Sequence, residues 1–133
     1  MKTHIEFTRT PIIAPPPQFS SKEIGAVVEF SGLVRELEHG QKIPGLHYEA
    51  HEAMARKELE KIFLELANLH PCEEIYFSHR LGFVPVGEVS LFIRIAARHR
   101  QAALTLMAEL IDRLKADVPV WKNAGTQPVN PPN

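Results

Sequence analysis

Val89-Ser90-Leu91-Phe92-Ile93-Arg94-Ile95-Ala96-Ala97 alternates, with Val89, Leu91, Ile93, Ile95 and Ala97 at one parity, so an extended chain puts these apolar side chains on one face. The period then changes. From about Arg100 to Ala116 the residues Ala103, Leu104, Met107, Leu110, Ile111 and Leu114 fall on one face of a helix, which Pro119 stops. Just upstream, Ile75, Phe77 and Leu81 share a parity, and Gly82 and Pro85 to Gly87 supply turn chemistry before Val89. Two antiparallel strands running into a helix are the economical reading.

Further upstream the pattern repeats with the elements reordered. Between Glu52 and Leu69 the residues Ala55, Leu59, Ile62, Phe63 and Leu66 form one helical stripe, which His70-Pro71 ends. Before it, Ala26 to Val34 is β-branched and apolar and reads as a central strand ending at Arg35. Glu36 to Pro44 is a polar loop, and Leu46 to Ala50 is short enough to be a strand that completes a long-looped hairpin with the first. His4 to Thr8 gives a further short strand, followed by an extended arm at Pro11 and Pro15-Pro16-Pro17 that runs up to residue 24. Val118 to Lys122 supplies a last strand, and the proline- and asparagine-containing stretch 123–133 reads as a mobile tail. The resulting order, βββαββαβ with hairpins rather than regular βαβ repeats, predicts an α+β fold with a mixed or antiparallel sheet and two main helices.

The totals agree with one domain over residues 1–133: 44% of the residues are hydrophobic, 23% charged, and the formal net charge is -1. That balance argues against a bulk nucleic-acid binder, because an RNA-binding α+β domain needs a basic face with exposed aromatics. Cys72 is the single cysteine, so there is no internal disulfide framework, and a reducing, cytoplasmic setting is expected. His4, Glu6 and Arg9 interrupt any apolar leader core near Met1, and no stretch approaches a membrane span. The glycines are scattered singly, which leaves no phosphate loop of the ATP or dinucleotide type. His47 and His51 are four apart, but on a strand end they do not share the helical face a zinc motif needs, so no metal site is expected. Cys72 has no obvious general base beside it and reads as an incidental thiol.

Cations gather at element ends: Arg35 after a strand, His99-Arg100 at a strand-to-helix junction, Lys115 at a helix end, and Lys122 after Trp121. At a helix start, free N–H groups would join Arg100 in binding an anion. A turn at Pro119 could bring Lys115 and Lys122 to one pocket, where mutual repulsion would lower the pKa of one and make it a usable base or nucleophile. The ordinary alternative stays open, since the helix macrodipole favours a lysine in the last turn and most exposed lysines only solvate a surface.

The stretch Gly25-Ala26-Val27-Val28-Glu29-Phe30-Ser31-Gly32-Leu33-Val34-Arg35 resembles the early strand motif of the molybdopterin synthase large-subunit family. It is joined in order by His47-Tyr48-Glu49-Ala50 with Met54-Ala55, by His79-Arg80-Leu81-Gly82 with Gly87-Glu88, by His99-Arg100, and by Lys115 with Pro119-Val120-Trp121-Lys122. The resemblance spans about residues 25–122. It implies an α/β hammerhead-type fold and a homodimer within a heterotetramer, with small ubiquitin-like sulfur-carrier subunits docked at opposite ends. Each carrier would insert a Gly-Gly tail, activated as a thiocarboxylate. The substrate implied is cyclic pyranopterin monophosphate, which becomes molybdopterin by two sulfur transfers; neither a cofactor nor a metal is implied.

Carried onto this chain, the resemblance makes Lys115 the main catalytic residue and Lys122 the second. Arg35, His99 and Arg100 become the positions that line the anionic substrate pocket. A non-catalytic homologue that serves as a docking scaffold for the ubiquitin-like carrier is the alternative. Three departures from the family pattern are visible. A proline-rich stretch stands where a helix often precedes the Gly25 strand, His51 stands where an aromatic residue is common, and Asn123-Ala124-Gly125 replaces the usual charged residues after Trp121-Lys122.

Overall fold

The computed structural model describes residues 1–124. In chain order its elements are β1 (Lys2–Thr8), β2 (Ala26–Leu33), β3 (Leu37–Glu38), β4 (Gln41–Lys42), β5 (Gly45–Ala50), α1 (Glu52–Leu69), β6 (Glu74–Arg80), β7 (Gly82–Pro85), β8 (Val89–Ala97), α2 (Arg100–Asp117) and β9 (Val120–Ala124). The α+β class, the mixed sheet and the two main helices are as the sequence predicts. No helix among the described residues is long and apolar enough to cross a membrane.

The larger sheet runs β1-β6-β8-β2, with β1 parallel to β6 and the other neighbours antiparallel. β8 is buried along almost its whole length on both faces and is an inner strand, with β6 on one edge and β2 on the other. Its residues Leu91, Ile93, Ile95 and Ala97 join Ile75 and Phe77 of β6 and the stripes of both helices in the main core. The α1 stripe is the predicted one, Ala55, Leu59, Ile62, Phe63 and Leu66. On α2 the face is rotated: Leu106 is buried and Leu104 is 55% exposed. At 100° per residue Leu104 lies about 100° from the centre of the buried stripe, too far round to reach the sheet.

Two expectations about β2 are corrected. It lies at the edge of the larger sheet rather than its centre, and it pairs with β8 rather than with β5. The reason lies in the segment between them. His39 and Gly40 both take positive φ, 51° and 78°, which makes a two-residue turn of the primed kind and closes Glu36 to Lys42 into its own small hairpin, β3–β4. The chain leaves that hairpin in a second sheet, ordered β7-β5-β9, with a small core of Val34, Leu46 and Val84. β2 instead shows alternating exposed and half-buried residues, the mark of a strand with one free edge and one covered face.

Gly82, with φ 83°, is where the chain passes from the larger sheet to the smaller, β6 ending at Arg80 and β7 beginning at once. The tail is corrected in part, because Asn123 and Ala124 extend β9 opposite His47 and Leu46; residues 125–133 lie outside the described residues.

β5 passes so close to β7 at Gly45 that a methyl group there would run into the carbonyl oxygen of Val84 and the Phe83 ring. A backbone oxygen cannot swing aside. Gly45→Ala should therefore cost about 1–3 kcal/mol through overpacking. It should appear as a lower urea midpoint at constant slope, and an unchanged midpoint would show that the two strands separate freely.

Candidate active site

The two sheets and the C-terminal end of α2 enclose an open cavity of about 430 Å³, within the range of small-ligand pockets. Three local features shape it. The β2–β8 register shifts between Gly32 and Leu33, a bulge on β8 whose extra residue, Ser90, lines the cavity. Val118 closes α2 in extended conformation, its N–H still donating to the carbonyl of Leu114, so the chain turns back at once into β9. β9 then pairs with β5 and carries Trp121 and Lys122 to the cavity opposite the last turn of α2.

Lys115 and Lys122 thus reach the same cavity, one from a helix and one from a strand. Both are exposed at its rim. The charged neighbour the structure gives Lys122 is of opposite sign: Glu38 Oε1 on the β3–β4 hairpin lies 3.8 Å from its Nζ. The walls are apolar, built from Phe30, Leu91, Ile111 and Leu114 together with the face of Trp121. His51, the residue before α1, packs its ring edge-on against Trp121 with centroids 5.2 Å apart, so an imidazole does there what an aromatic ring would. Trp121 Nε1 is buried with no hydrogen-bond partner among the described residues.

The floor is polar but uncharged. Burial pushes the Tyr48 phenol above its ordinary pKa, with the neighbouring Ser90 hydroxyl acting the other way, so it stays protonated through neutral pH. Ser90 Oγ donates to the carbonyl of Gly32 at 3.3 Å. His79 is 5% exposed, and burial holds its pKa below the usual imidazole value, so its ring is neutral. A cationic rim, apolar walls and a neutral polar floor suit a flat polar heterocycle bearing an anionic group.

The other sequence-predicted site residues lie elsewhere in the chain. His99 and Arg100 sit at the opposite end of α2, where His99 is the N-cap residue without a side-chain capping bond, beside Gly25 and Arg98 in a shallow open depression. Arg100 and Lys115 are fifteen positions apart on one helix, about 22 Å at the helical rise. Arg35 is exposed, two residues beyond Leu33 at the cavity edge. His47 does not point toward His51; its Nε2 meets Glu49 at 2.8 Å.

Tyr48, His79, Ser90, Trp121 and Glu38 are site residues that sequence reasoning did not single out. Parity was the usable signal for one of them: His79 continues the inward set of Ile75 and Phe77. Glu38 had none, because nothing in a polar loop predicts which carboxylate folds back on a lysine.

The family model described as MoaE protein matches residues 9–117. The chain belongs to this family. Among curated relatives, a molybdopterin synthase catalytic subunit of Oryza sativa subsp. indica is 41% identical over 98 residues, covering 74% of this chain and 51% of the relative. The chain spans about half the length of the plant and mammalian relatives it matches. Among solved structures, a molybdopterin synthase from Staphylococcus aureus superposes with a TM-score of 0.79 at 30% identity, covering 91% of this chain and 90% of that one. A complex of subunits 1 and 2 of the molybdopterin-converting factor from Helicobacter pylori contains a chain that matches with a TM-score of 0.66 at 29% identity, covering 77% of this chain and 67% of that one. MoaE family members thus share this architecture across most of the described residues.

Proposed function

We propose that this MoaE family member is the catalytic subunit of a molybdopterin synthase. It moves sulfur from the C-terminal thiocarboxylate of a small ubiquitin-like carrier to cyclic pyranopterin monophosphate, building the dithiolene of molybdopterin. The observation that carries this reading is the convergence of Lys115 and Lys122 on one cavity with apolar walls and an uncharged polar floor. Each transfer forms a carbon–sulfur bond on the pterin side chain in place of a carbon–oxygen bond, and water then cleaves the acyl–sulfur bond to release the carrier tail as a carboxylate. Protons must move at the side chain, and the substrate phosphate and the new carboxylate need cationic partners. Lys115 is the main acid/base or transient covalent group and Lys122 its support. The complex of subunits 1 and 2 described for the Helicobacter pylori molybdopterin-converting factor supports a second subunit as partner.

His99 and Arg100 fit this reading in a homodimer, within a heterotetramer, in which each protomer lends the N-terminal end of its α2 to the other's lysine cavity. The helix length that separates them within one chain supports that arrangement. Arg35, beyond the cavity edge, completes the anion-binding set.

The direct test is to mix the purified protein with a thiocarboxylated carrier and cyclic pyranopterin monophosphate and assay molybdopterin. Product establishes the activity, whereas a tight complex without product would make the chain a docking scaffold. The shared site is tested by co-refolding two variants, Lys115→Ala and Arg100→Ala, each crippled alone. Hybrid dimers should regain activity, because one of their two cavities has both wild-type parts. A mixture no more active than its components would place both residues in a single protomer's site.

A further inference from the structure

His79 is nine-tenths buried yet lines the cavity, and no proton-transfer role has been given to it. Its placement is unusually determined. It is the inward residue after Phe77 on β6, paired with Phe7 of β1 on one side and Leu91 of β8 on the other. The edge of its ring meets Tyr48 with centroids 5.2 Å apart, and the rings of Phe7 and Phe77 lie at 6.5 Å. Nδ1 lies 2.8 Å from the carbonyl oxygen of Arg80. A carbonyl oxygen only accepts, so Nδ1 carries the proton, and in the neutral ring Nε2 is left with a bare lone pair.

The other polar groups around the cavity complement it. Lys115, Lys122 and the indole of Trp121 can only donate, the Ser90 hydroxyl gives its single proton to the Gly32 carbonyl, and the Glu38 carboxylate, an acceptor, faces Lys122 at 3.8 Å. A ligand made of phosphate or carboxylate alone finds donors at the rim. A ligand that carries a ring N–H or an exocyclic amine also needs an acceptor, and on the floor His79 Nε2 is a nitrogen that can act in no other way, whereas the Tyr48 and Ser90 hydroxyls both donate and accept.

We propose that His79 is a substrate-contacting residue whose Nε2 accepts a hydrogen bond from a ring N–H or amine of the pterin, so that the cavity distinguishes the heterocycle from simple anions. The proposal rests on the functional reading above and assigns the heterocycle end of the substrate to the floor and its anionic end to the lysine rim. Burial keeps the ring from taking the proton outright, so His79 binds and orients without acting as a base. No charge develops on the floor, and proton traffic stays with the lysines.

The test needs no turnover. Wild-type protein labelled with nitrogen-15 in histidine and tryptophan is titrated with a reduced pterin lacking phosphate and, separately, with inorganic phosphate. The His79 Nε2 resonance should begin at the bare-acceptor position and move on adding the pterin but not on adding phosphate, and the Trp121 indole signal should report entry of the pterin into the cavity. A pterin that moves the Trp121 signal and leaves Nε2 in place would overturn the proposal and leave the functional reading standing. A pterin that moves neither would overturn both. In turnover assays His79→Phe should raise KM for the pterin about tenfold with little change in kcat, as expected for one lost hydrogen bond in binding. A fall in kcat at constant KM would make His79 part of the chemical step instead.

Discussion

Lys115→Ala will lower molybdopterin formation by at least about a hundredfold, the usual worth of a positioned acid/base group. Lys115 is exposed in the last turn of α2 and belongs to neither apolar cluster, so its removal costs the fold only the favourable interaction of a cation with the helix C-terminus, about 0.3–1 kcal/mol. Loss of activity in this variant is therefore not loss of structure, which circular dichroism and an almost unchanged urea midpoint will show. Lys115→Arg separates two roles. A guanidinium keeps the charge but holds its proton throughout the working pH range, so it should restore binding of the anionic substrate and not the rate. Near-normal turnover in the alanine variant would remove Lys115 from the chemistry and leave Lys122 as the only lysine assigned to the cavity.

Phe77→Ala should be the most destabilising of the substitutions considered, at about 3–5 kcal/mol. Phe77 is 0% exposed on β6, an inner strand of the larger sheet, and its ring meets those of Phe7 at 6.2 Å and Phe63 at 6.4 Å. Those contacts tie β1, β6 and α1 together, so the void left behind borders three elements and cannot close by moving one of them. Against a total stability of about 5–15 kcal/mol this is a large share, and the urea midpoint should fall steeply with the slope retained. A loss below about 2 kcal/mol would mean that the core collapses into the space. The next inward residue on the strand is His79, so the same variant should also loosen the cavity floor.

What could be read from the chain and what could not follow a physical division. Both helices were legible because each buries one face: the stripe from Ala55 to Leu66 leaves a period that survives in one dimension. Leu104 was misplaced because a residue at the margin of a stripe is decided by what packs beside it. Strand pairing was harder. The expected hairpin of β2 with β5 followed from their nearness in sequence, whereas β2 actually pairs with β8, whose backbone edge opposite β6 it satisfies. The parallel pairing of β1 with β6 joins segments about seventy residues apart and leaves no local trace. At the site, Lys115 and Lys122 could be brought together from the turn chemistry of Pro119 alone. Glu38 meets Lys122, and Ser90 the cavity, only through pairing that no local pattern encodes, whereas the separation of Lys115 from Arg100 was already contained in the predicted helix that joins them.

β9 is held to the body of the protein along one side, by its ladder with β5, and lies at the edge of the smaller sheet. It brings Trp121 and Lys122 to the cavity, yet over 120–123 only Val120 touches the main core, and that one is half-buried. Such a strand can detach in a sub-global opening that leaves the β1-β6-β8-β2 sheet and its helices intact, at a free-energy cost well below that of complete unfolding. Catalytic lifetime would then be set by this opening, and warming or mild denaturant would silence the protein while most of its amide protons were still protected from exchange.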